Sequence, residues 1–277
     1  MSTLPPAVNY HINRSCNARC TFCYATFRDV QGQLPLRSAA QLVGALRDAG
    51  VQKLNFAGGE PTLHLHIGVL TRQARRLGFT TSIVTNGARL DRLLNEHAAD
   101  LDWVGLSVDS GREDVEVALG RSRGGYVADS VRLASRARAL GIRVKLNTVL
   151  TALNRDEDMS DLVRLIGPER WKVFQVLAVT GQNDGVVGPL LISRGDVEAF
   201  AARHAHLAAE GFAPIIEDND AMTGSYAMID PLGRFFSNAT GAHTYSAPIL
   251  EVGVEAAFAQ IAFFPVKFED RGGVYKW

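Results

Sequence analysis

All three cysteines of the chain lie within eight residues of one another, in CNARCTFC at positions 16 to 23 of the 277-residue sequence. The C-x3-C-x2-C spacing of Cys16, Cys20 and Cys23 is unsuited to a disulfide framework, which joins distant segments by pairs of cysteines. Cysteine thiolates hold iron–sulfur clusters, normally four to a cubane, so three leave one iron open. The alternatives are a structural zinc site with a histidine such as His11 as fourth ligand, although zinc ligands usually come as two separated pairs, and three buried thiols without a metal.

A glycine pair ends the second predicted strand, in NFAGGEP at residues 55 to 61, and glycines let the backbone approach a ligand closely. Together with the cysteine loop, this strand end resembles the radical S-adenosylmethionine superfamily. The resemblance implies a [4Fe–4S] cluster whose open iron binds S-adenosylmethionine, which then yields a 5′-deoxyadenosyl radical. It also implies that Gly58, Gly59 and Glu60 hold the methionine amino group. Phe22, between the second and third cysteines, is expected to lie against the adenine.

Three predicted strands carry polar residues two positions apart in otherwise apolar sequence: Lys53 with Asn55, Lys145 with Asn147, and Arg170 with Lys172. Residues i and i+2 share one face of a strand. Burying an unpaired ammonium is costly, so cations that converge on one cavity indicate an anionic ligand there. A polyphosphate suits both the guanidinium fork and the lysine point charges. The alternative is that each cation lies near a strand end and extends to water.

The resemblance becomes more specific in segments spread from about residue 8 to the final tryptophan, namely VNYHINRSCNARCTFCY, KLNFAGGEP, KLNTV, NRDEDM, RWKVFQ, SYAMID, ILEVGVEAA and RGGVYKW. These segments are similar to those of viperin and its prokaryotic relatives. The resemblance implies dehydration of a nucleoside triphosphate to its 3′-deoxy-3′,4′-didehydro analogue, a chain-terminating antiviral nucleotide, after the radical removes the ribose C4′ hydrogen. CTP, UTP and GTP all stay open as the substrate.

The same resemblance assigns roles to further side chains. It places Asn9, Lys53, Lys145, Asn147, Arg170 and Lys172 around the triphosphate. It places Asn86, Ser107 and Arg121 against S-adenosylmethionine. Tyr226 matches a tyrosine near the reacting ribose, where its phenol would supply a hydrogen atom or a proton. The alternative for Tyr226 is a half-buried strand tyrosine whose hydroxyl is satisfied locally.

Two other functions stay open on the sequence. One is a radical S-adenosylmethionine enzyme that acts on a peptide or another small molecule, and the other is a non-catalytic zinc-binding interaction module. Peptide-modifying members often carry extra cysteine-rich cluster sites near the C-terminus, and this chain has no cysteine after Cys23. The predicted dehydratase needs an external one-electron reductant of the flavodoxin or ferredoxin type, and we expect it to act as a monomer.

Short β-branched runs alternate with segments of helical period, which predicts an α/β fold with a parallel sheet and right-handed crossovers. The predicted strands are 7–14, 51–57, 79–86, 103–109, 143–150 and 171–179, and the predicted helices are near 37–49, 65–77, 90–98, 127–140 and 157–166. Six repeats indicate a partial (β/α)6 barrel over about residues 8–185. Residues 186–277 are expected to form an extension over its open side, with helices near 194–210 and 252–262 and short strands near 213–218, 225–230 and 234–238. The absence of a low-complexity linker predicts one domain over 1–277.

The charges balance, with 29 basic and 29 acidic residues. No overall field would therefore recruit a nucleic acid polymer or an anionic membrane, and an anionic ligand must be bound by local positive charge. The N-terminal residues lack a basic-then-apolar leader, and no stretch approaches the roughly 20 apolar residues that span a bilayer. We therefore expect a cytoplasmic protein without a membrane partner.

Overall fold

A computed structural model describes residues 4–277, and the ten strands found within this range form one continuous sheet. The strands are β1 (Ala7–His11), β2 (Lys53–Ala57), β3 (Thr80–Thr85), β4 (Trp103–Ser107), β5 (Arg143–Leu150), β6 (Arg170–Gln175), β7 (Pro214–Glu217), β8 (Met228–Ile229), β9 (Arg234–Ser237) and β10 (Thr244–Pro248). Their order across the sheet is β10-β9-β8-β1-β2-β3-β4-β5-β6-β7. Because the two edge strands do not pair with each other, the sheet is not closed into a barrel.

Strands β1 to β6 are the six predicted from the sequence, and each pairs in parallel with the next. This confirms the predicted partial barrel. The extension lengthens the sheet at both edges, since β7 adds in parallel to β6 and β8 adds in parallel to β1. Strands β9 and β10 continue from β8 in antiparallel pairs.

The helices within the described range lie between these strands in the sequence or follow the last of them. They are α1 (Leu36–Asp48), α2 (Ile67–Arg76), α3 (Leu90–His97), α4 (Glu113–Ala118), α5 (Tyr126–Ala139), α6 (Ser160–Ile166), α7 (Arg194–Arg203), α8 (Asn219–Met222), α9 (Ile249–Val252), α10 (Val254–Phe258) and α11 (Pro265–Asp270). Short 3-10 turns occupy 61–63, 98–100, 188–190 and 205–210. None of the helices in residues 4–277 is both long and apolar enough to span a bilayer.

The main core lies between the sheet and these helices. Strand β5 illustrates the pattern, because its residues alternate between buried and half-buried positions along its whole length. Val144, Leu146 and Leu150 point toward the helices and are fully buried, whereas Lys145 and Asn147 point to the opposite face. The face away from the helices is thus the one that carries the polar residues.

Three sequence expectations about helices and strands were wrong. The predicted helix at 252–262 is two short helices, since Gly253 has φ +89° and ψ 160°, which no helix accommodates. The predicted helix at 194–210 ends at Arg203 and continues only as a 3-10 turn. The predicted strand at 225–230 is only two residues long, and α4, α8 and α11 were not predicted.

Candidate active site

A cavity of about 490 Å³ opens at the carboxyl ends of the central strands. Fifteen of the predicted site residues line it, namely Asn9, Cys16, Cys20, Phe22, Cys23, Gly58, Gly59, Glu60, Asn86, Ser107, Arg121, Lys145, Asn147, Lys172 and Tyr226. Lys53 and Arg170 are the two predicted residues outside its lining. The fold therefore brings most of the predicted site together from six strands and their following loops.

The cysteine loop follows β1 and lies at the mouth of this cavity. Its three thiols are free, with Cys16 exposed and the other two half-buried. The backbone N–H of Arg19 donates to Gly120 O at 2.8 Å, and Asn183 Nδ2 donates to Phe22 O at 2.9 Å. Burial raises the pKa of Cys20 to about 12, so its thiolate needs a bound metal to compensate the charge.

Gly58 and Gly59 pack β2 against the start of the cysteine loop. A Cβ on Gly59 would lie 2.7 Å from the carbonyl carbon of Arg14, and one on Gly58 would lie 2.6 Å from Asn13 O. This close approach allows two backbone hydrogen bonds between the strand end and the loop. Gly59 N donates to Asn13 O at 2.7 Å, and Glu60 N donates to Ser15 O at 2.8 Å. The backbone that the glycines allow to approach is thus that of the loop itself.

Glu60 is buried and ties the ends of β2 and β3 together. Its carboxylate accepts hydrogen bonds from Thr62 N at 2.9 Å, Thr85 Oγ1 at 2.6 Å and Asn86 N at 2.7 Å. Asn86 in turn donates through Nδ2 to Asn17 Oδ1 at 2.9 Å and lies 3.7 Å from Cys16 Sγ. Burial raises the pKa of Glu60, and these donors oppose that shift. Glu60 therefore fixes the position of Asn86 beside the first cysteine.

Arg121 forms the opposite wall, next to Phe22 and Asp109. Its Nε lies 2.6 Å from Asp109 Oδ2, and its guanidinium lies 5.4 Å from the centre of the Phe22 ring. Asp109 is fully buried and also accepts from Val149 N at 2.8 Å. The hydroxyl of Tyr126 donates to Ser107 O. A buried ion pair and the Phe22 ring therefore frame the part of the cavity beside the cysteines.

The register of the sheet places the predicted polar pairs on one face. Asn9 is opposite Asn55, and Asn55 is opposite Ser82. On β4, β5 and β6, Ser107 is opposite Asn147, and Asn147 is opposite Lys172. Two residues earlier along β5 and β6, Lys145 is opposite Arg170. Opposing residues of parallel strands point the same way, so the cations share the cavity side of the sheet.

Tyr275, in the C-terminal segment, lies over the amino ends of these strands. Its hydroxyl oxygen accepts from Lys53 Nζ and lies 2.9 Å from Lys145 Nζ. The guanidinium of Arg170 lies 4.1 Å from the centre of the Tyr275 ring, and its Nη2 donates to Gly272 O at 2.8 Å. Tyr275 therefore separates Lys53 and Arg170 from the cavity. Lys145 contacts Tyr275 and also lines the cavity.

These cations are poorly compensated. Burial, and next the charge of Lys145, lowers the pKa of Lys53 from 10.5 to about 6. Burial, and next the charge of Arg170, lowers the pKa of Lys145 to about 7. Burial also lowers the pKa of Lys172 to about 7, although Glu217 opposes the shift. The folded chain thus holds ammonium groups in a place where ionisation is unfavourable.

Tyr226 belongs to a compact group with Lys172, Glu217 and Arg271. The Tyr226 hydroxyl donates to Glu217 and lies 2.8 Å from Lys172 Nζ, and Lys172 also pairs with Glu217. The Arg271 guanidinium lies 3.5 Å from the centre of the Tyr226 ring and 3.8 Å from the Glu217 carboxylate. Burial raises the pKa of Tyr226, Arg271 opposes the shift, and Glu217 adds to it. The phenol is therefore held neutral, with its proton directed at a carboxylate.

A comparison of the sequence with known proteins identifies the family. The model of the Radical SAM superfamily matches residues 10–166. An S-adenosylmethionine-dependent nucleotide dehydratase of Flammeovirga pacifica is 42% identical over 98% of this chain and 96% of that protein. The S-adenosylmethionine-dependent nucleotide dehydratase RSAD2 of Oncorhynchus mykiss is 32% identical over 100% of this chain and 82% of that protein. The chain belongs to this radical SAM family.

The fold of this radical SAM protein is also that of solved structures. Streptococcus suis SuiB bound to S-adenosylmethionine superposes with a TM-score of 0.69, covering 84% of this chain and 60% of that one. At 17% identity the likeness concerns the fold alone. The family model and the two sequence relatives confirm the resemblance drawn from the cysteine loop, the glycine pair and the later segments.

The cofactors of the family are a [4Fe–4S] cluster and S-adenosylmethionine, and the residues present fit both. The three free thiols surround the cavity mouth, and thiolates that bind separate irons need not meet at one point. Within residues 4–277, no three Cys, His, Asp or Glu side chains converge as ligands of a single ion. His11 packs against Phe27 and Phe236 with both ring nitrogens unpartnered. The zinc module is therefore not favoured.

Sequence reasoning missed four residues of the site: Asp109, Glu217, Arg271 and Tyr275. Asp109 follows β4 and Glu217 ends β7. A carboxylate at the carboxyl end of a strand could have indicated a site residue. Arg271 and Tyr275 lie in RGGVYKW, which the sequence reading used only as a family match. Nothing local in that segment indicates that Arg271 contacts Glu217 or that Tyr275 reaches Lys145 and Lys53, 130 and 222 residues earlier.

Proposed function

We propose that the chain dehydrates a nucleoside triphosphate to its 3′-deoxy-3′,4′-didehydro analogue. The relatives named as nucleotide dehydratases support the reaction class. The finer assignment, to a triphosphate and to the ribose C4′ position, depends on the arrangement of side chains in the cavity. Two alternatives are less well supported, since only a peptide with several acidic side chains would offer partners for the buried cations and residues 4–277 contain no converging zinc ligand set.

The observation that carries the proposal is the excess of positive charge on the cavity face. Lys53, Lys145, Arg170 and Lys172 share this face, and Glu217 is the carboxylate that pairs with one of them. Desolvated ammonium groups without counter-charges cost free energy in the folded protein. A polyphosphate supplies several negative charges to such a group and recovers that cost.

Lys145 and Lys172 would bind the phosphates directly, which sets where the ribose lies. Lys53 and Arg170, which Tyr275 separates from the cavity, would add positive charge to the same face of the sheet. Lys145 and Lys172 line the cavity, and Asn147 lies between them in the strand register with its buried Oδ1 unpartnered. An unpartnered buried oxygen calls for a donor, which a ribose hydroxyl provides. With the phosphates toward the amino ends of the strands, the ribose lies between Tyr226 and the cysteine loop.

When bound, the cluster and S-adenosylmethionine supply a radical that takes the C4′ hydrogen of the ribose. Departure of the 3′-hydroxyl as water then requires one proton and one electron from elsewhere. The hydroxyl of Tyr226 and Nζ of Lys172 both carry protons and lie 2.8 Å apart in the cavity. We assign them to this step, with Tyr226 supplying a proton or hydrogen atom. The part of the cavity that holds S-adenosylmethionine would be lined by Gly58, Gly59, Glu60, Asn86, Ser107, Arg121 and Phe22.

The test is nucleotide-stimulated cleavage of S-adenosylmethionine. Anaerobically reconstituted, reduced protein would be incubated with CTP, UTP, GTP or ATP, and 5′-deoxyadenosine and the dehydrated nucleotide would be quantified. We expect at least one triphosphate to stimulate cleavage, and the matching nucleoside to stimulate it far less. Lys145→Met should raise the triphosphate concentration required, whereas Lys276→Met, at an exposed tail position, should not. Equal cleavage with and without every nucleotide would contradict the proposal.

A further inference from the structure

Five exposed arginines lie in the cysteine loop or in the two loops that contact it, and among the described residues none of them has a carboxylate partner. They are Arg14, Arg19, Arg28, Arg89 and Arg123, and we call them the arginine rim. Nearby arginines differ, since Arg112 pairs with Asp114 and Arg121 pairs with Asp109. Among residues 4–277, no Asp or Glu oxygen lies within 4.0 Å of a rim guanidinium. The rim is therefore a patch of uncompensated positive charge.

The loops that carry the rim contact one another directly. The cysteine loop meets the loop after β3 through the Asn86–Asn17 hydrogen bond of 2.9 Å. It meets the segment after α4 through Arg19 N and Gly120 O, at 2.8 Å. Arg89 N donates to Thr62 Oγ1 at 3.1 Å, which anchors the second loop beside the end of β2. The three loops thus form one continuous edge around the cysteines.

The sequence of these loops is poor in acidic residues around the cysteines, although Asp29 follows Arg28. Residues 14–28 contain three arginines and no Asp or Glu, and residues 119–125 contain two arginines and no Asp or Glu. The whole chain has zero formal net charge. The positive field is therefore local to the cysteine edge of the molecule.

We propose that the arginine rim is the docking surface for a small acidic one-electron carrier protein of the flavodoxin or ferredoxin class. The inference rests on the proposed function only in requiring an external reductant. Electron transfer weakens steeply with distance, so the carrier must approach the loop that holds the exposed Cys16. Complementary charge speeds such encounters and orients the partner. The rim offers that charge at the one edge where an electron has to arrive.

The test compares two double charge reversals of exposed arginines. Arg89→Glu/Arg123→Glu alters the rim at positions that do not line the cavity. Arg76→Glu/Arg138→Glu alters the last turns of α2 and α5, which lead into the amino ends of β3 and β5, whereas the cysteine loop follows the carboxyl end of β1. The rate of cluster bleaching after mixing with flavodoxin hydroquinone would be followed by stopped-flow absorption, without nucleotide. We expect the rim variant to be slowed about tenfold or more at low salt, and the control to be unaffected.

Two further measurements separate docking from damage. Reduced methyl viologen, a small cation, should reduce the cluster of the rim variant at least as fast as that of the unmodified protein. The difference with flavodoxin should shrink as salt rises to about 0.5 M, because the Debye length falls to a few ångströms. Apo-protein should also bind oxidised flavodoxin less tightly after the rim reversal. Equal flavodoxin rates in both double variants would overturn the proposal.

Other anionic occupants give different results. If the rim steers the nucleotide, the rim variant driven by methyl viologen would need more triphosphate for half-maximal cleavage, which would overturn the docking proposal. Tighter binding of a short DNA duplex than of flavodoxin at this surface would also overturn it. Because cluster bleaching needs no nucleotide, a negative result in the nucleotide assay leaves this test intact. The two proposals therefore fail separately.

Discussion

The Nζ of Lys145 lies 2.9 Å from the phenol oxygen of Tyr275, and the same oxygen accepts from Lys53. A neutral hydroxyl thus stands where two ammonium groups converge. The sequence indicated an anion at this place, and a phenol supplies only a partial negative charge. The pKa of Lys53 falls to about 6 and that of Lys145 to about 7, mainly through burial. The contact therefore leaves the lysines in need of a stronger acceptor.

Tyr275→Phe should destabilise the nucleotide-free protein. The change removes the acceptor shared by Lys53 and Lys145, and leaving buried polar groups unsatisfied costs about 1–3 kcal/mol. Urea unfolding measures the loss, and inorganic tripolyphosphate should restore most of it by supplying a replacement acceptor. Tyr245→Phe is the control. Tyr245 lies on the edge strand β10, far across the sheet from Lys53 on β2 and Lys145 on β5. A loss that tripolyphosphate does not reverse would count against a phosphate site here.

Nucleotide binding at pH 8 should be accompanied by proton uptake. Lys145 and Lys172 have pKa values lowered from 10.5 to about 7, so both are largely neutral at pH 8 in the free protein. A bound triphosphate favours the charged form and raises these pKa values, so roughly one to two protons are taken up per nucleotide. At pH 6 both lysines are already charged, and uptake by them should vanish.

Calorimetric titrations in buffers of different ionisation enthalpy measure this uptake. Lys172→Met should lower it at pH 8 by about one proton, while leaving that of Lys145 in place. A binding enthalpy that does not depend on the buffer at pH 8 would show that the lysines do not titrate on binding. The same linkage predicts that the free energy of unfolding of the free protein rises from pH 7 toward pH 10, since the unfolded lysines bind more protons.

The sequence predicted β1 to β6 because their β-branched runs differ in period from the helical segments between them. It also predicted which side chains share a face, since the i, i+2 spacing of Lys145 with Asn147 needs no tertiary information. It could not predict that Tyr275 caps Lys53, because that contact spans 222 residues. The predicted length of strand β8 was too great, because two residues suffice for pairing when β1 and β9 flank them.

The glycine pair shows a different limit. The sequence predicted that the backbone at these glycines closely approaches a ligand. The structure shows that this backbone lies close to Asn13 and Arg14. The predicted contact of Gly58 and Gly59 with S-adenosylmethionine stays a prediction. Composition and spacing indicate that a backbone must be unobstructed, but only the fold determines which partner uses that space.

Glu217→Gln should be more harmful to stability than removal of both members of its ion pair. The single change leaves Lys172 buried without its carboxylate, and breaking a buried pair from one side costs about 3–5 kcal/mol. Lys172→Met combined with Glu217→Gln removes the cation in direct contact with residue 217 and leaves Arg271 as the other cation without its carboxylate, so the double variant should be more stable than Glu217→Gln alone. Urea unfolding of the four chains of this cycle gives the coupling energy directly. Strictly additive losses would mean that the two side chains do not interact.

Gly59→Ala should prevent the cysteine loop from holding its cluster. The new methyl group would lie 2.7 Å from the carbonyl carbon of Arg14 and close to Ser15 O, and backbone atoms cannot rotate away as a side chain can. The loop must therefore shift, which breaks the Gly59 N to Asn13 O hydrogen bond and moves Cys16. Iron and sulfide per chain after reconstitution should fall well below the level of the unmodified protein. Gly44→Ala, in α1 with open space around its Cβ, should retain full iron and be slightly stabilised. Full iron content in Gly59→Ala would show that the loop tolerates a wider separation from β2.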